Sequence, residues 1–197
     1  MATLEEVLKS PDQSVRLKAA LAAGTYPNPD HIEVLIRQCA IEGDFFVRDT
    51  LSWALMRHDQ KSVVEHLKLE LHSENTQARS QALHTLSKIG DKENYRLITR
   101  ELLLDPDDFV ASTAWRSASV LVPESEKPAL VELLVTQLGR GDSDTQFGLT
   151  RFLCAIGQPI IAPLKQAAQS SDESIRTQAE FTLIRFQEME LEKVKKN

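Results

Sequence analysis

Six stretches of this chain repeat one pattern at nearly constant spacing, and that period limits the fold more than any other feature. Each opens on a small polar residue, carries a usually aliphatic anchor three residues on, then usually Arg, then an apolar stripe. The anchors are Val15, Val47, Ala78, Val110, Thr145 and Ile175, spaced 32, 31, 32, 35 and 30 residues apart. A period in this range marks an array of small units that bury their apolar faces on one another. Three residues before each anchor stand Asp12, Asp44, Asn75, Asp107, Asp142 and Asp172. Such side chains cap helices, because their oxygen accepts an orphan backbone N–H, and Asp also suits the positive end of the helix dipole. Apolar residues follow at +4 (Ala19, Leu51, Ala82, Ala114, Leu149, Ala179) and at +8 (Ala23, Leu55, Leu86, Ala118, Leu153, Leu183). That spacing is one face of an α-helix.

The spacing predicts a pair of antiparallel helices per unit, A and then B. A helices are expected near 4–9, 31–41, 62–72, 94–104, 127–138 and 160–168. B helices are expected near 12–23, 44–57, 75–89, 107–121 and 172–187, with one more after the longer link Gly139-Arg140-Gly141. Gly24 and Gly90 are read as stops. Gly148 lies inside the fifth B helix, where glycine costs about 1 kcal/mol relative to Ala. A close helix–helix approach is the expected reason for it, with space for a ligand as the alternative. The tail continues the last helix, with Glu192 and Lys196 on one face. Residues 1–197 are therefore read as a single array, with repeats at about 1–30, 31–60, 61–93, 94–126, 127–159 and 160–197.

The motifs DQSVR (12–16), DFFVR (44–48), NTQAR (75–79) and DESIR (172–176) are similar to HEAT repeats, in the short bacterial subtype named from phycobilisome lyases. Residues 107–111 and 142–146 are degraded copies. The resemblance implies an all-α, right-handed α-solenoid of about six two-helix repeats. It also implies that Arg16, Arg48, Arg79 and Arg176 are structural, bonding the turns between helices. One solenoid fold hosts many roles, so function needs a site of its own.

The chain has 29 acidic and 23 basic residues and a formal net charge of −6, which opposes a nucleic-acid partner. No stretch of about 18 apolar residues is present, and the acidic N-terminus lacks the features of a signal peptide. A cytoplasmic monomer is the expectation, with no membrane association. Cys39 and Cys154 fall in apolar helical patterns and read as buried free thiols. The five histidines include no i,i+4 pair, and there is no C-x-x-C, G-x-S-x-G or Gly-rich phosphate loop. Catalytic residues, cofactors and metals are all expected to be absent.

The sequence is read as a non-catalytic scaffold or adaptor for a protein partner. The alternative, drawn from the repeat subtype, is a subunit of a bilin lyase-like enzyme or a cofactor chaperone. A remote alternative, drawn from HEAT-like alkylpurine DNA glycosylases, is weakened by residue order: Asp49 precedes Trp53, and no acid follows Trp115 by one turn.

With 100° per residue, positions +2, +6 and +9 lie opposite the core face of each B helix. HEAT-like arrays line a concave groove with that side. The partner-binding candidates are Asp49, Trp53, Met56, His84, Arg116, Phe147 and Arg151. Ser80, Cys154, Phe181 and Ile184 share the same face. Aromatic and Arg residues there are the usual hot-spot types. Two arrangements remain open: rings exposed in a groove, or rings buried between neighbouring B helices.

Overall fold

All six expected caps sit at the N-termini of B helices in the computed structural model, which describes residues 2–196. Asp12 accepts from the backbone N–H of Ser14 at 2.8 Å, Asp44 from Val47 at 3.0 Å, and Asn75 from Gln77 at 2.9 Å. Asp107 accepts from Phe109 at 3.0 Å, Asp142 from Thr145 at 2.9 Å, and Asp172 from Ser174 at 2.9 Å. A second acceptor stands two residues before most caps. Ser10, Glu42, Ser73, Asp105 and Ser170 each take the N–H of the capping residue itself. The helix start is thus fixed from both sides of the turn.

The described residues contain helices and no strands. They form two compact units, Met1–Gly90 and Asp91–Asn197. The first holds α1 (Leu4–Leu8), α2 (Gln13–Thr25), α3 (Ile32–Cys39), α4 (Phe45–Met56), α5 (Gln60–Glu70) and α6 (Thr76–Ile89). The second holds α7 (Arg100–Leu103), α8 (Asp108–Leu121), α9 (Lys127–Val135), α10 (Ser143–Ile156), α11 (Ile161–Ala167) and α12 (Glu173–Lys196). The fold is all-α and of the solenoid type: within each unit, successive helix pairs pack B helix against B helix, α2 on α4 and α4 on α6 in the first, α8 on α10 and α10 on α12 in the second. The tail does continue α12, although the Lys196 side chain expected to face Glu192 lies outside the described residues.

The core follows the anchors, with instructive exceptions. Val47, Ala78 and Val110 are buried, as are Leu51, Ala82, Ala114 and Leu149 at +4. A fully buried Leu or Val contributes about 1.5–3 kcal/mol. Val15, expected in the core, is 37% exposed, and Ile175 is half-buried. The cause is coverage. α2 packs chiefly on α1 and α4, while α4 is enclosed by α2, α3, α5 and α6. At the other end α12 meets chiefly α10 and α11.

Three local expectations are corrected. Residues 94–104 are not one helix. A 3₁₀ segment, Lys92–Leu97, gives way at Ile98 to a new start after Thr99, whose side chain makes no capping bond, leaving α7 only four residues long. Two consecutive β-branched residues at the break disfavour helix. Gly24 is not a stop but lies within the last turn of α2. Gly148 is not required by a close approach: a Cβ there would meet Ser112 Oγ at 3.5 Å and a Phe152 ring carbon at 3.6 Å, both ordinary contacts. Gly90 does end α6, in the left-handed conformation (φ 76°) that glycine adopts without strain.

The repeated arginines close the turns between paired helices. The Arg16 guanidinium donates to the carbonyls of Ser10 and Pro11, Arg48 to Glu42 and Gly43, Arg79 to Ser73 and Glu74, and Arg176 to Ser170. Where α8 has Ala111 instead, Arg140 from the following turn reaches back. It pairs with Asp108 at 2.7 Å, donates to the carbonyl of Asp105, and lies 5.7 Å from the Trp115 ring centroid. In α10 the place of the arginine is taken by Gln146, which donates to the carbonyls of Gly139 and Gly141.

Candidate partner-binding faces

Glu42 anchors the turn between α3 and α4. It is 2% exposed and receives both Nε and Nη2 of Arg16 at 2.8 Å, Gln38 Nε2 at 3.0 Å and the Asp44 N–H at 3.0 Å. Burial alone would push its carboxyl up. The hydrogen bonds from Arg16, Asp44 and Gln38, with the charge of Arg16, hold it down to about 2. A fully hydrogen-bonded buried carboxylate of this kind fixes geometry and offers nothing to a substrate. The thiols are equally inert: burial pushes Cys39 up to about 12 and raises Cys154 as well.

In the first unit the candidates lie along α4 and α6. Asp49 is exposed and pairs with Lys88 at 2.5 Å. Trp53 is half-buried because its indole lies on α2: a Cβ on Gly24 would fall 2.3 Å from Trp53 Cζ3. Met56 on α4 and His84 on α6 are half-buried, while Ser80, on the same predicted face of α6, is buried. Positions +2 and +9 lie where neighbouring B helices approach, so some of their side chains are covered.

In the second unit Arg116 on α8 and Arg151 on α10 are exposed, and neither has an ion-pair partner among the described residues. Phe147 on α10 is 49% exposed and Phe181 on α12 is 41% exposed. Their ring centroids are 6.5 Å apart, inclined at 42°. Ile184 is exposed, but Cys154 is buried and contacts the Thr182 carbonyl, so it does not line this face. Trp115 is fully buried and donates Nε1–H to the Leu103 carbonyl at 2.8 Å, so its ring is closed to any ligand.

Between α10 and α12 the two rings border an open cleft of about 630 Å³. Its floor is a polar ladder. Gln178 donates to the Gln146 carbonyl at 2.7 Å and accepts from the Gly139 N–H at 2.7 Å. Thr150 and Thr182 share a hydrogen bond at 2.9 Å, and Thr182 donates to the Gln178 carbonyl at 2.7 Å. The angular reading reached Phe147 and Phe181 but missed this floor. The available signal was Gln146, standing where other repeats carry Arg.

A family model described as HEAT repeats matches residues 1–69. These residues are similar to HEAT repeats. They comprise α1–α4 and nearly all of α5, and the caps of α6, α8, α10 and α12 continue the HEAT pattern. An engineered protein of known crystal structure is 21% identical, with 94% of this chain and 95% of that one covered and a TM-score of 0.50. That likeness shows the fold alone. A designed armadillo repeat protein is 13% identical over 93% of this chain and 98% of its own, with a TM-score of 0.47. The complex of CpcE and CpcF of phycocyanin lyase from Nostoc sp. is 21% identical over 95% and 89%, with a TM-score of 0.38. No curated protein matches the chain. Among the described residues no helix is long and apolar enough to cross a membrane.

Proposed function

We propose that this HEAT-repeat chain is a non-catalytic scaffold or adaptor that binds a protein partner on the exposed faces of its B helices, in the cytoplasm. One observation carries the reading: Phe147 and Phe181 stand half-exposed side by side, in a unit that also exposes Arg116 and Arg151, which have no ion-pair partner among the described residues. A merely solvated helix face would be polar. Aromatic and Arg side chains supply most of the binding energy at protein interfaces, and a rigid helical surface suits an extended or helical segment. The inert Glu42, Cys39 and Cys154 support a role without chemistry.

The test is a Trp53→Ala, Arg116→Ala double variant, first checked for unchanged melting, with Arg116→Ala alone as the control for the packing of Trp53. Tagged wild-type and variant proteins are then recovered from the native cell. The variant is expected to lose specific partners that the wild type retains. Retention of every partner at wild-type yield would refute the assignment of these faces.

A further inference from the structure

The cleft between α10 and α12 has a preferred charge. Among its lining residues one side chain is charged, the carboxylate of Glu173 in the first turn of α12. The others are the two phenyl rings and neutral hydroxyl or amide groups. Glu173 has no ion pair among the described residues. Asp144, in the first turn of α10, adds a second carboxylate at the same end. The donors of the floor are already engaged: the Gln178 and Gln146 amides, with Thr150 and Thr182, bond one another and the backbone. The N-termini of both helices are capped by their own Asp142 and Asp172. An anion would therefore meet carboxylates and few free donors. A cation would meet two aromatic rings, whose negative quadrupole attracts it, and a carboxylate with no ion pair among the described residues. The volume exceeds that of one side chain and admits a short stretch of chain.

We propose that this cleft seats an arginine side chain of an extended basic protein segment, its guanidinium against Phe147 and Phe181 and paired with Glu173. The proposal rests on the scaffold reading and names the chemistry of its partner. Guanidinium is the fitting group because it is planar, stacks on rings and presents a fork to a carboxylate. Arg151, one turn beyond Phe147 and outside the lining, repels a second cation there, so the segment presents a neutral or acidic residue at that end.

The experiment measures fluorescence anisotropy of two labelled octapeptides, one alternating Arg with Gly and one alternating Glu with Gly, on the full chain. Wild type is expected to prefer the Arg peptide by at least about tenfold. Phe181→Ala should weaken it about tenfold and Glu173→Gln about three- to tenfold. Arg151→Ala should tighten it, through loss of a like charge. Glu192→Gln, which removes the same charge elsewhere on α12, should leave it unchanged. Glu173 is a surface residue, so its variant keeps the test valid even if Phe181→Ala lowers the melting point. The proposal is overturned by equal or tighter binding of the Glu peptide, by no binding of the Arg peptide at about 1 mM, or by Glu173→Gln and Glu192→Gln having equal effects. If Trp53→Ala, Arg116→Ala loses its cellular partner while Glu173→Gln and Phe181→Ala bind the Arg peptide as wild type does, the scaffold reading survives and this cleft assignment falls.

Discussion

Trp53 occupies the space that a side chain at Gly24 would need: a Cβ there would lie 2.3 Å from Cζ3 and 2.8 Å from Cε3 of the indole, and 2.9 Å from the Ala54 Cα. Two B helices meet through this pairing of a missing side chain with a large one. Helix propensity alone favours Gly24→Ala by about 1 kcal/mol, but the overlap involves backbone as well as ring and cannot be relieved by a rotamer change. The variant should lose about 1–3 kcal/mol net in urea unfolding. Its tryptophan emission should shift red as the indole leaves α2, since Trp115 stays fully buried.

Gly148 is the opposite case. Its position is helical and a methyl group meets only ordinary contacts. Gly148→Ala should raise stability by up to about 1 kcal/mol, read as a higher denaturant midpoint with an unchanged slope. A loss of stability would show that α8 and α10 pack more tightly than the geometry gives.

Asp44→Ala removes the acceptor for the Val47 N–H and should cost about 1 kcal/mol. The array is stabilised by nearest neighbours, so hydrogen exchange should accelerate within Met1–Gly90 and leave α12 unchanged. Equal loosening of α12 would contradict that locality.

Glu42 makes the fold acid-sensitive in a defined window. Its carboxyl titrates at about 2 in the folded chain, against an ordinary 4.5. The unfolded chain therefore binds the proton first as pH falls. The contribution is complete above about pH 4.5 and is lost progressively as pH drops towards 2. Glu42→Gln should flatten the dependence of stability on pH in this window. Glu42→Ala, which strands the Arg16 guanidinium, should cost about 3 kcal/mol at neutral pH, measured by thermal or urea unfolding.

What the sequence discloses here divides along a physical line. The six caps were legible because each is a bond between groups a few residues apart; the structural arginines came from the resemblance to HEAT repeats, and their bonds are equally local, as in Arg79 to the Ser73 carbonyl. Burial depends on what lies alongside, so Val15 and Val47 carry the same local motif and end 37% and 0% exposed. Gly24 looked like punctuation because the Trp53 ring that needs its space lies 29 residues away in sequence. On the candidate face, helical angle alone found Phe147, Phe181, Arg116 and Arg151. It also admitted Ser80 and Cys154, which the approach of adjacent B helices covers. The Gln178–Gln146 floor joins two helices through amides, and no single-helix periodicity records such a bond.

Arg140 sets the grain at which this chain can be cut. In repeats that carry their own Arg, the turn is closed from within, so the unit brings its fastening with it. The fourth pair lacks that residue and borrows Arg140 from the fifth, through Asp108, the Asp105 carbonyl and the face of Trp115. Removing the fifth pair alone would leave a carboxylate, a carbonyl and an indole without the cation that holds them. For deletion, duplication or transplantation the fourth and fifth pairs therefore have to move together, as do the first and second, because Arg16 of the first holds the buried Glu42 of the second.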